Sequence, residues 1–368
     1  MRLLICAGMT GGGVYPALAV LQTMGNEAQN VLWIGSESRM EVDLLSEQSF
    51  NFKAIPSAGL HGVGLTDLPG NLFKLIRGYI KARQLIRQFQ PDVIFYTGGF
   101  ISIPVALASR GVPSVVFIPD IEPGAALNFL IKRCDLIIAA TENTRKFIPK
   151  NKKVEVTGYP IRPDLSKWER KNAYKEFNLN NDLPVLLVFG GSKGARSINQ
   201  ALYPILAELL QEIQIIHISG EDNWEETRQM KSNLPQSISS RYHAYPFLHS
   251  QMGAALVSAD LVVCRSGAST LGELPFFSLP AVLVPYPHAW RYQHTNAEYL
   301  VNHGGALLLE DKDLKKNLLV TVMNLIHDQP TLANMRKSMS ALAKPEAAKK
   351  IGRMLYEVGT SKGVKPKW

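Results

Sequence analysis

The chain has 368 residues, 46% of them apolar and 19% charged, a globular composition that excludes a disordered protein and whose length suggests about two domains. Three cysteines, Cys6, Cys134 and Cys264, lie far apart in apolar stretches; they offer neither a disulfide framework nor a zinc cluster and read as buried free thiols in a reducing compartment. The formal charge of +9 must be located before it has meaning, because a basic balance suits nucleic acid and membrane surfaces alike.

The first apolar run, Leu3–Ala7, is too short for a signal-peptide core and reads as a strand. It passes through the glycine cluster of "ICAGMTGGGVYPALAV" into a helix-like stretch. Further apolar, β-branched runs follow at Val31–Ile34, Val93–Tyr96, Ser114–Ile118, Leu136–Ala139 and Val154–Val156, with helix-like segments between them. That alternation is the signature of βαβ units on a parallel sheet. The longest uncharged stretch, Val93–Ser109, is broken by Thr97-Gly98-Gly99 and by Pro104, so it reads as strand, glycine turn and helix. No transmembrane segment is expected, which places the protein in the cytoplasm.

Residues 157–184 carry prolines, asparagine pairs and charges and read as a linker. The alternation resumes at Val185–Phe189, Gln214–Ile218, Leu261–Cys264 and Ala281–Val284, and a helical end begins near Asp313. The expected fold is α/β, with two doubly wound, Rossmann-like domains facing a cleft. In such folds ligands bind beyond the carboxyl ends of the strands, where the glycine turns lie.

The charge concentrates between Leu68 and Pro91, a stretch with no acidic residue. Lys74, Arg77, Lys81, Arg83 and Arg87 alternate there with Leu72, Phe73, Ile76, Tyr79 and other apolar side chains. A basic amphipathic helix with aromatics suits an anionic membrane surface or nucleic acid. A solvated helix face over a core stripe gives the same pattern.

Neither glycine turn fits a standard nucleotide template. The dinucleotide fingerprint needs glycine at position 10, which is Thr10, and a Walker A loop needs lysine at position 14, which is Val14. The second turn, "FGGSKGARSIN", fails both templates as well. Such turns can still present backbone N–H groups and a helix N-terminus to phosphate, or serve only tight strand–helix packing. A third stretch favours phosphate. From Cys264 to Leu300 the chain reads as strand, Ser-Gly turn, helix bearing Glu273, strand and Pro-rich loop, then Gln293 and Asn296 opening another helix. A carboxylate one turn past an anion-binding N-terminus is placed to take two ribose hydroxyls, so phosphate at the amides and ribose at Glu273 describe a nucleotide. The one acidic DxD pattern, Asp311-Lys-Asp313, sits in a Lys-rich helix start and reads as capping.

In order along the chain, "GMTGGGVYPALAV", "YTGGFISIPVALA", "VTGYPIRPD", "GGSKGARSIN", "CRSGASTLGEL" and "LVPYPHAWRYQHTNA" resemble the MurG family, membrane-associated transferases that add N-acetylglucosamine to lipid I in peptidoglycan synthesis. The similarity spans nearly the whole chain. It implies the two-domain GT-B architecture. Residues 1–160 would bind the acceptor and the membrane, with a C-terminal helix at about 345–368 packing back on them. Residues 161–344 would bind UDP-N-acetylglucosamine. By the same resemblance Ser192 contacts the diphosphate, Arg162 approaches the nucleotide, and Ala268, Ser269 and Thr270 hold the phosphates. Glu273 holds the ribose, Gln293 the sugar hydroxyls, and Leu248 meets uracil through its backbone. Thr10, Gly11 and Gly12 line the cleft beside the reacting sugar. Leu72, Phe73, Lys74, Ile76, Arg77, Tyr79 and Lys81 become the membrane contact of a peripheral protein on the cytoplasmic face. The implied partners are the sugar nucleotide, a polyprenyl-diphosphate-linked acceptor and an anionic membrane, with no nucleic acid, cofactor or metal.

The chain departs from the family pattern on the acceptor side. A histidine usual at the first turn is Gly13, and "FIPD" followed by "IEPG" replaces a usual HEQN, while the donor-side stretches keep their form. Displacement at C1 of the donor needs a base near the attacking hydroxyl and stabilisation of the departing UDP. Asp120 is the first candidate base and Glu122 the second, and Asp120 also reads as an N-cap for the helix after "EPG". Two further readings stay open: a GT-B transferase acting on another glycolipid, and a catalytically silent protein that binds UDP-sugar and membrane.

Overall fold

The computed structural model describes residues 1–8, 11–36, 50–58, 68–191, 194–289 and 291–361. The chain divides into two compact units, Met1–Arg162 with Pro345–Trp368, and Pro163–Lys344.

The first unit is built on seven parallel strands: β1 (Arg2–Cys6), β2 (Asn30–Gly35), β3 (Asn51–Ala54), β4 (Val93–Tyr96), β5 (Ser114–Ile118), β6 (Leu136–Ala139) and β7 (Val154–Val156). Their order is β3-β2-β1-β4-β5-β6-β7. β4 and β6 are buried throughout, which is why they read as unbroken apolar runs and not as alternating ones. The connecting helices include α1 (Gly11–Met24), α2 (Leu68–Phe89), α3 (Ser102–Ala108) and α4 (Ala125–Ile131). The strand order reverses between β1 and β4, so the turns after these two strands flank the topological switch point. The last helix among the described residues, Ala347–Thr360, packs on α1 and buries Ala348, Ile351, Gly352 and Leu355.

The second unit has six parallel strands, β8 (Val185–Phe189), β9 (Gln214–Ile218), β10 (Tyr242–Tyr245), β11 (Leu261–Cys264), β12 (Ala281–Leu283) and β13 (Ala306–Leu308). Their order is β10-β9-β8-β11-β12-β13, and the switch point lies between β8 and β11. The helices here include α5 (Pro163–Ser166), α6 (Arg170–Glu176), α7 (Arg196–Leu202), α8 (Leu206–Glu212), α9 (Trp224–Ser232), α10 (Gln236–Ser239) and α11 (Met252–Ser258). α12 (Thr270–Phe276), α13 (Tyr292–Asn302), α14 (Leu314–His327) and α15 (Gln329–Leu342) complete the unit.

Residues 157–184 are not a free linker. They contain α5 and α6, whose Leu165, Ala173 and Tyr174 are buried along with Phe177. The Trp168 indole donates to the Ser250 carbonyl at 3.0 Å and Arg170 pairs with Asp260 at 2.9 Å. Apolar side chains at helical spacing, hidden among polar neighbours, dock this segment on α11. The boundary between units falls at Arg162/Pro163, so Ile161 and Arg162 go with the first unit.

Candidate functional site

In the second unit the candidate side chains gather at the carboxyl edge of the sheet, around β8 and β11. The turn after β8 closes with the Gly194 amide donating to the Gly191 carbonyl at 2.9 Å. Gly194 has φ +73°, and a Cβ there would overlap the Ser219 carbonyl, so the turn lies directly on the end of β9. Tight packing is therefore part of this turn's role, whatever it binds. Ser192 lies outside the described residues, as does Thr10 in the first unit. The turns after β9 and β10 are joined by Ser219 N–H to Tyr245 O at 3.0 Å and Gly220 N–H to Pro246 O at 3.0 Å. That pairing places Pro246, Phe247 and buried Leu248 at the same edge.

After β11, Ala268 and Thr270 are buried and Ser269 is half-buried. The Thr270 hydroxyl donates to the Gly267 carbonyl at 2.7 Å, and the Glu273 amide reaches Ser269 O at 2.8 Å, which starts α12. Glu273 is half-buried one turn in. Burial first, and then the nearby Glu273 carboxylate, push up the pKa of the Cys264 thiol, which keeps Cys264 protonated. Beyond β12, Gln293 opens α13. Its Oε1 accepts from the Tyr286 amide at 2.9 Å and its carbonyl accepts from the Ser266 hydroxyl at 2.8 Å. Buried Asn296 donates to Ser266 O at 3.2 Å. Glu273 and Gln293, far apart in sequence, are thus mounted on segments tied to each other through Ser266.

Two residues at this edge escaped the sequence reading. Arg265, one position past β11, is almost fully buried against Ser197 and Asp311. The only signal was a charge abutting an apolar strand, which ordinarily marks a surface. Asp311 was expected to cap a helix. Instead its carboxylate accepts from Arg265 and from the Ser197 hydroxyl, and Asp313, the N-cap of α14, makes no side-chain capping bond. His217, fully buried in β9, was also missed. Its Nδ1 lies 2.7 Å from the Tyr242 hydroxyl and its Nε2 3.0 Å from Asn199 Oδ1. Asn199 donates its own Nδ2 to Ser219 O at 2.9 Å, so the amide oxygen faces the ring. Nε2 must then carry the proton and Nδ1 must accept from Tyr242.

In the first unit, Gly11 and Gly12 are half-buried at the start of α1. Thr97, after β4, donates its hydroxyl to the Gly13 carbonyl at 2.6 Å and joins the two turns of the switch point. Asp120 and Glu122 are half-buried and flank buried Ile121 in the bend after β5. The bend is pinned by Asn128, which donates to Pro123 O at 2.8 Å. Asp120 is not the helix cap: that position is Gly124, with no side-chain bond. Arg162 stacks over the Tyr15 ring of α1, its Cζ 4.5 Å from the centroid.

The helix α2 shows two faces. Gly78, Ala82 and Ile86 are buried, and a Cβ at Gly78 would overlap the Pro56 carbonyl, so this face lies close on its neighbours. The opposite face leaves Leu72 53%, Phe73 61%, Ile76 50% and Ile80 61% exposed, with Lys74, Arg77 and Lys81 exposed around them. Tyr79 is half-buried. The outward face is thus mixed, with apolar side chains set among the basic ones. No helix among the described residues is long and apolar enough to cross a membrane, and no group of three or more His, Cys, Asp or Glu among them could hold a metal ion.

Comparison with known proteins matches residues 3–135 to the glycosyltransferase family 28 N-terminal domain and residues 185–351 to the glycosyltransferase family 28 C-terminal domain. A relative from Roseiflexus sp. (strain RS-1), a UDP-N-acetylglucosamine--N-acetylmuramyl-(pentapeptide) pyrophosphoryl-undecaprenol N-acetylglucosamine transferase, is 36% identical over 96% of this chain and 94% of its own length. The protein of the same name from Desulforamulus reducens is 36% identical over 97% of this chain and 99% of its own. The crystal structure of Acinetobacter baumannii MurG superposes with a TM-score of 0.73 at 24% identity, covering 97% of this chain and all of that one.

Proposed function

We infer this protein's activity from its kinship: the chain belongs to glycosyltransferase family 28 and, within it, to the MurG family. It transfers N-acetylglucosamine, with inversion, from UDP-N-acetylglucosamine to lipid I (undecaprenyl-diphospho-N-acetylmuramyl-pentapeptide) and yields lipid II for peptidoglycan synthesis. The observation that carries the donor half is the placement of Glu273 and Gln293 at one sheet edge, beside the switch point of the second unit.

In this reading uracil meets the backbone at Leu248 and the Glu273 carboxylate accepts from both ribose hydroxyls. The diphosphate lies against the amides of the turn holding Ser192 and of Ala268, Ser269 and Thr270, and Gln293 reads the sugar hydroxyls. As the C1–O bond to the diphosphate breaks, negative charge grows on UDP. Backbone N–H groups at the two turns, and the Arg162 guanidinium, oppose that charge. The acceptor hydroxyl forms the new bond to C1 and gives its proton to Asp120, with Glu122 as the second candidate; Gly11, Gly12 and Thr10 line this side.

The outer face of α2 docks on the anionic cytoplasmic surface of the cell membrane, where the lipid-linked acceptor resides. Apolar residues at four exposed positions enter the headgroup region and Lys74, Arg77 and Lys81 meet lipid phosphates. The test is direct. Purified protein, labelled UDP-N-acetylglucosamine and lipid I in vesicles should give labelled lipid II. Transfer to a different glycolipid only would replace the acceptor, and donor binding without any transfer would make the protein a silent binder.

A further inference from the structure

Arg265 has no place in the donor reading, yet among the described residues of that edge it is a charged side chain that is buried. It stands one residue past β11 and is only 9% exposed. A guanidinium so buried must be neutralised and have its N–H groups satisfied. Nη1 donates to the Val284 and Pro285 carbonyls at 3.2 and 3.3 Å and to Asp311 Oδ2 at 2.5 Å. Nη2 donates to the Ser197 hydroxyl at 2.7 Å, and that hydroxyl passes its proton bond on to Asp311 Oδ2, also at 2.7 Å. The Tyr286 ring lies 5.2 Å from the guanidinium carbon.

The partners come from three separate segments. Val284, Pro285 and Tyr286 begin the loop that ends at Gln293, and the Tyr286 amide itself holds Gln293 Oε1. Ser197 lies in the first turn of α7, which follows the glycine turn after β8. Asp311 follows β13. We propose that Arg265, with Ser197 and Asp311, is a positioning device that sets the spacing between the diphosphate-binding glycine turn and the sugar-reading Gln293. This rests on the donor reading above. Arg265 acts through those segments and touches no substrate itself. Only a planar fork of donors can serve two carbonyls, a carboxylate and a hydroxyl at once; a lysine ammonium in the same place cannot. Leu248, after β10, sits on a segment that these hydrogen bonds do not join, and Glu273 is held on Arg265's own segment by the backbone bonds that start α12, so the clamp does not set the spacing of the uridine end of the donor.

The experiment uses the full chain and compares Arg265→Lys, Asp311→Asn and Ser197→Ala with wild type. Titration calorimetry with UMP, UDP, UDP-N-acetylglucosamine and UDP-glucose is combined with steady-state kinetics. Arg170→Lys, which weakens an ion pair with Asp260 elsewhere in the same unit, controls for lost stability. Arg265→Lys and Asp311→Asn should hold UMP affinity within about twofold while UDP-N-acetylglucosamine affinity drops about tenfold and its preference over UDP-glucose shrinks. KM should rise more than kcat falls. Ser197→Ala removes one partner without touching a charge, so it should fold where Arg265→Lys does not, and should move the same ratio by a smaller factor. Equal losses on UMP and UDP-N-acetylglucosamine, or no loss on either, would overturn the clamp alone. A wild-type protein that does not bind UDP-N-acetylglucosamine overturns the donor reading and the clamp with it.

Discussion

Gly13 stands where the MurG pattern usually carries histidine, and packing does not require the glycine. A Cβ would sit 3.5 Å from Gly8 O and 3.6 Å from Thr97 O, ordinary contact distances. A side chain could therefore start here without a clash at its Cβ, and in the proposed reading the duty of a base passes to a neighbouring strand. β5 lies two strands from β1, about 10 Å at ordinary sheet spacing, so a carboxylate in the bend after β5 serves the same edge. Asp120→Asn should lower turnover on lipid I by roughly 10²–10⁴ with donor affinity intact, and Glu122→Gln should lower it less. Because Gly124 is the cap of α4, Asp120→Asn should also leave helix content unchanged by circular dichroism. Near wild-type turnover in both variants would remove both carboxylates from the chemistry. At this scale Glu273 and Gln293 were legible because their distance from a strand end sets which edge they occupy. Arg265 and His217 were not, since burial of a polar side chain depends on partners from distant segments.

Among elements, the central strands were legible for a simple reason: both their faces are covered, so they are apolar without interruption. The edge strands β3, β10 and β13 were missed. They are three or four residues long, and "NFKA" and "YHAY" mix polar residues into a half-covered position. The helix α2 posed the opposite problem. Its sequence fitted a membrane face, a nucleic-acid face and a plain core stripe equally, because composition does not say which face is buried. Placement of Gly78, Ala82 and Ile86 inward settles which apolar residues face out. Neutralising Lys74, Arg77 and Lys81 together should then weaken binding to anionic vesicles by on the order of 1 kcal/mol per residue. Co-sedimentation reads this, and the loss should fade as salt is raised. Mutant and wild type that bind anionic vesicles alike would return α2 to a structural role.

Across the whole molecule the two units were legible from the restart of the strand–helix alternation near Val185, whereas the segment before it was misjudged, because its apolar residues are too sparse to stand out. Each unit has its own core, and acid should act on the second through a residue that takes no part in the site. His217 is buried, and burial lowers its pKa from the ordinary 6.5 to about 3. Its two nitrogens are committed to Tyr242 and Asn199 in the neutral form, so a proton can be accommodated only by unfolding the surroundings. Above pH 6.5 neither state carries that proton and the stability of the unit is undiminished. As pH falls below 6.5 the unfolded chain binds a proton that the folded chain refuses, which costs about 1.4 kcal/mol per pH unit until roughly pH 3. His243, lowered to about 4 by burial and then by Lys231, adds a loss of the same sign. His217→Gln can donate to Asn199 and accept from Tyr242 without titrating. It should be somewhat less stable than wild type at pH 7 but lose stability more slowly between pH 6.5 and 4. Hydrogen exchange of β9 and β10 peptides reads this unit by itself, apart from the first. If wild type and His217→Gln lose protection with the same slope over that range, the buried imidazole is not what makes the unit acid-sensitive.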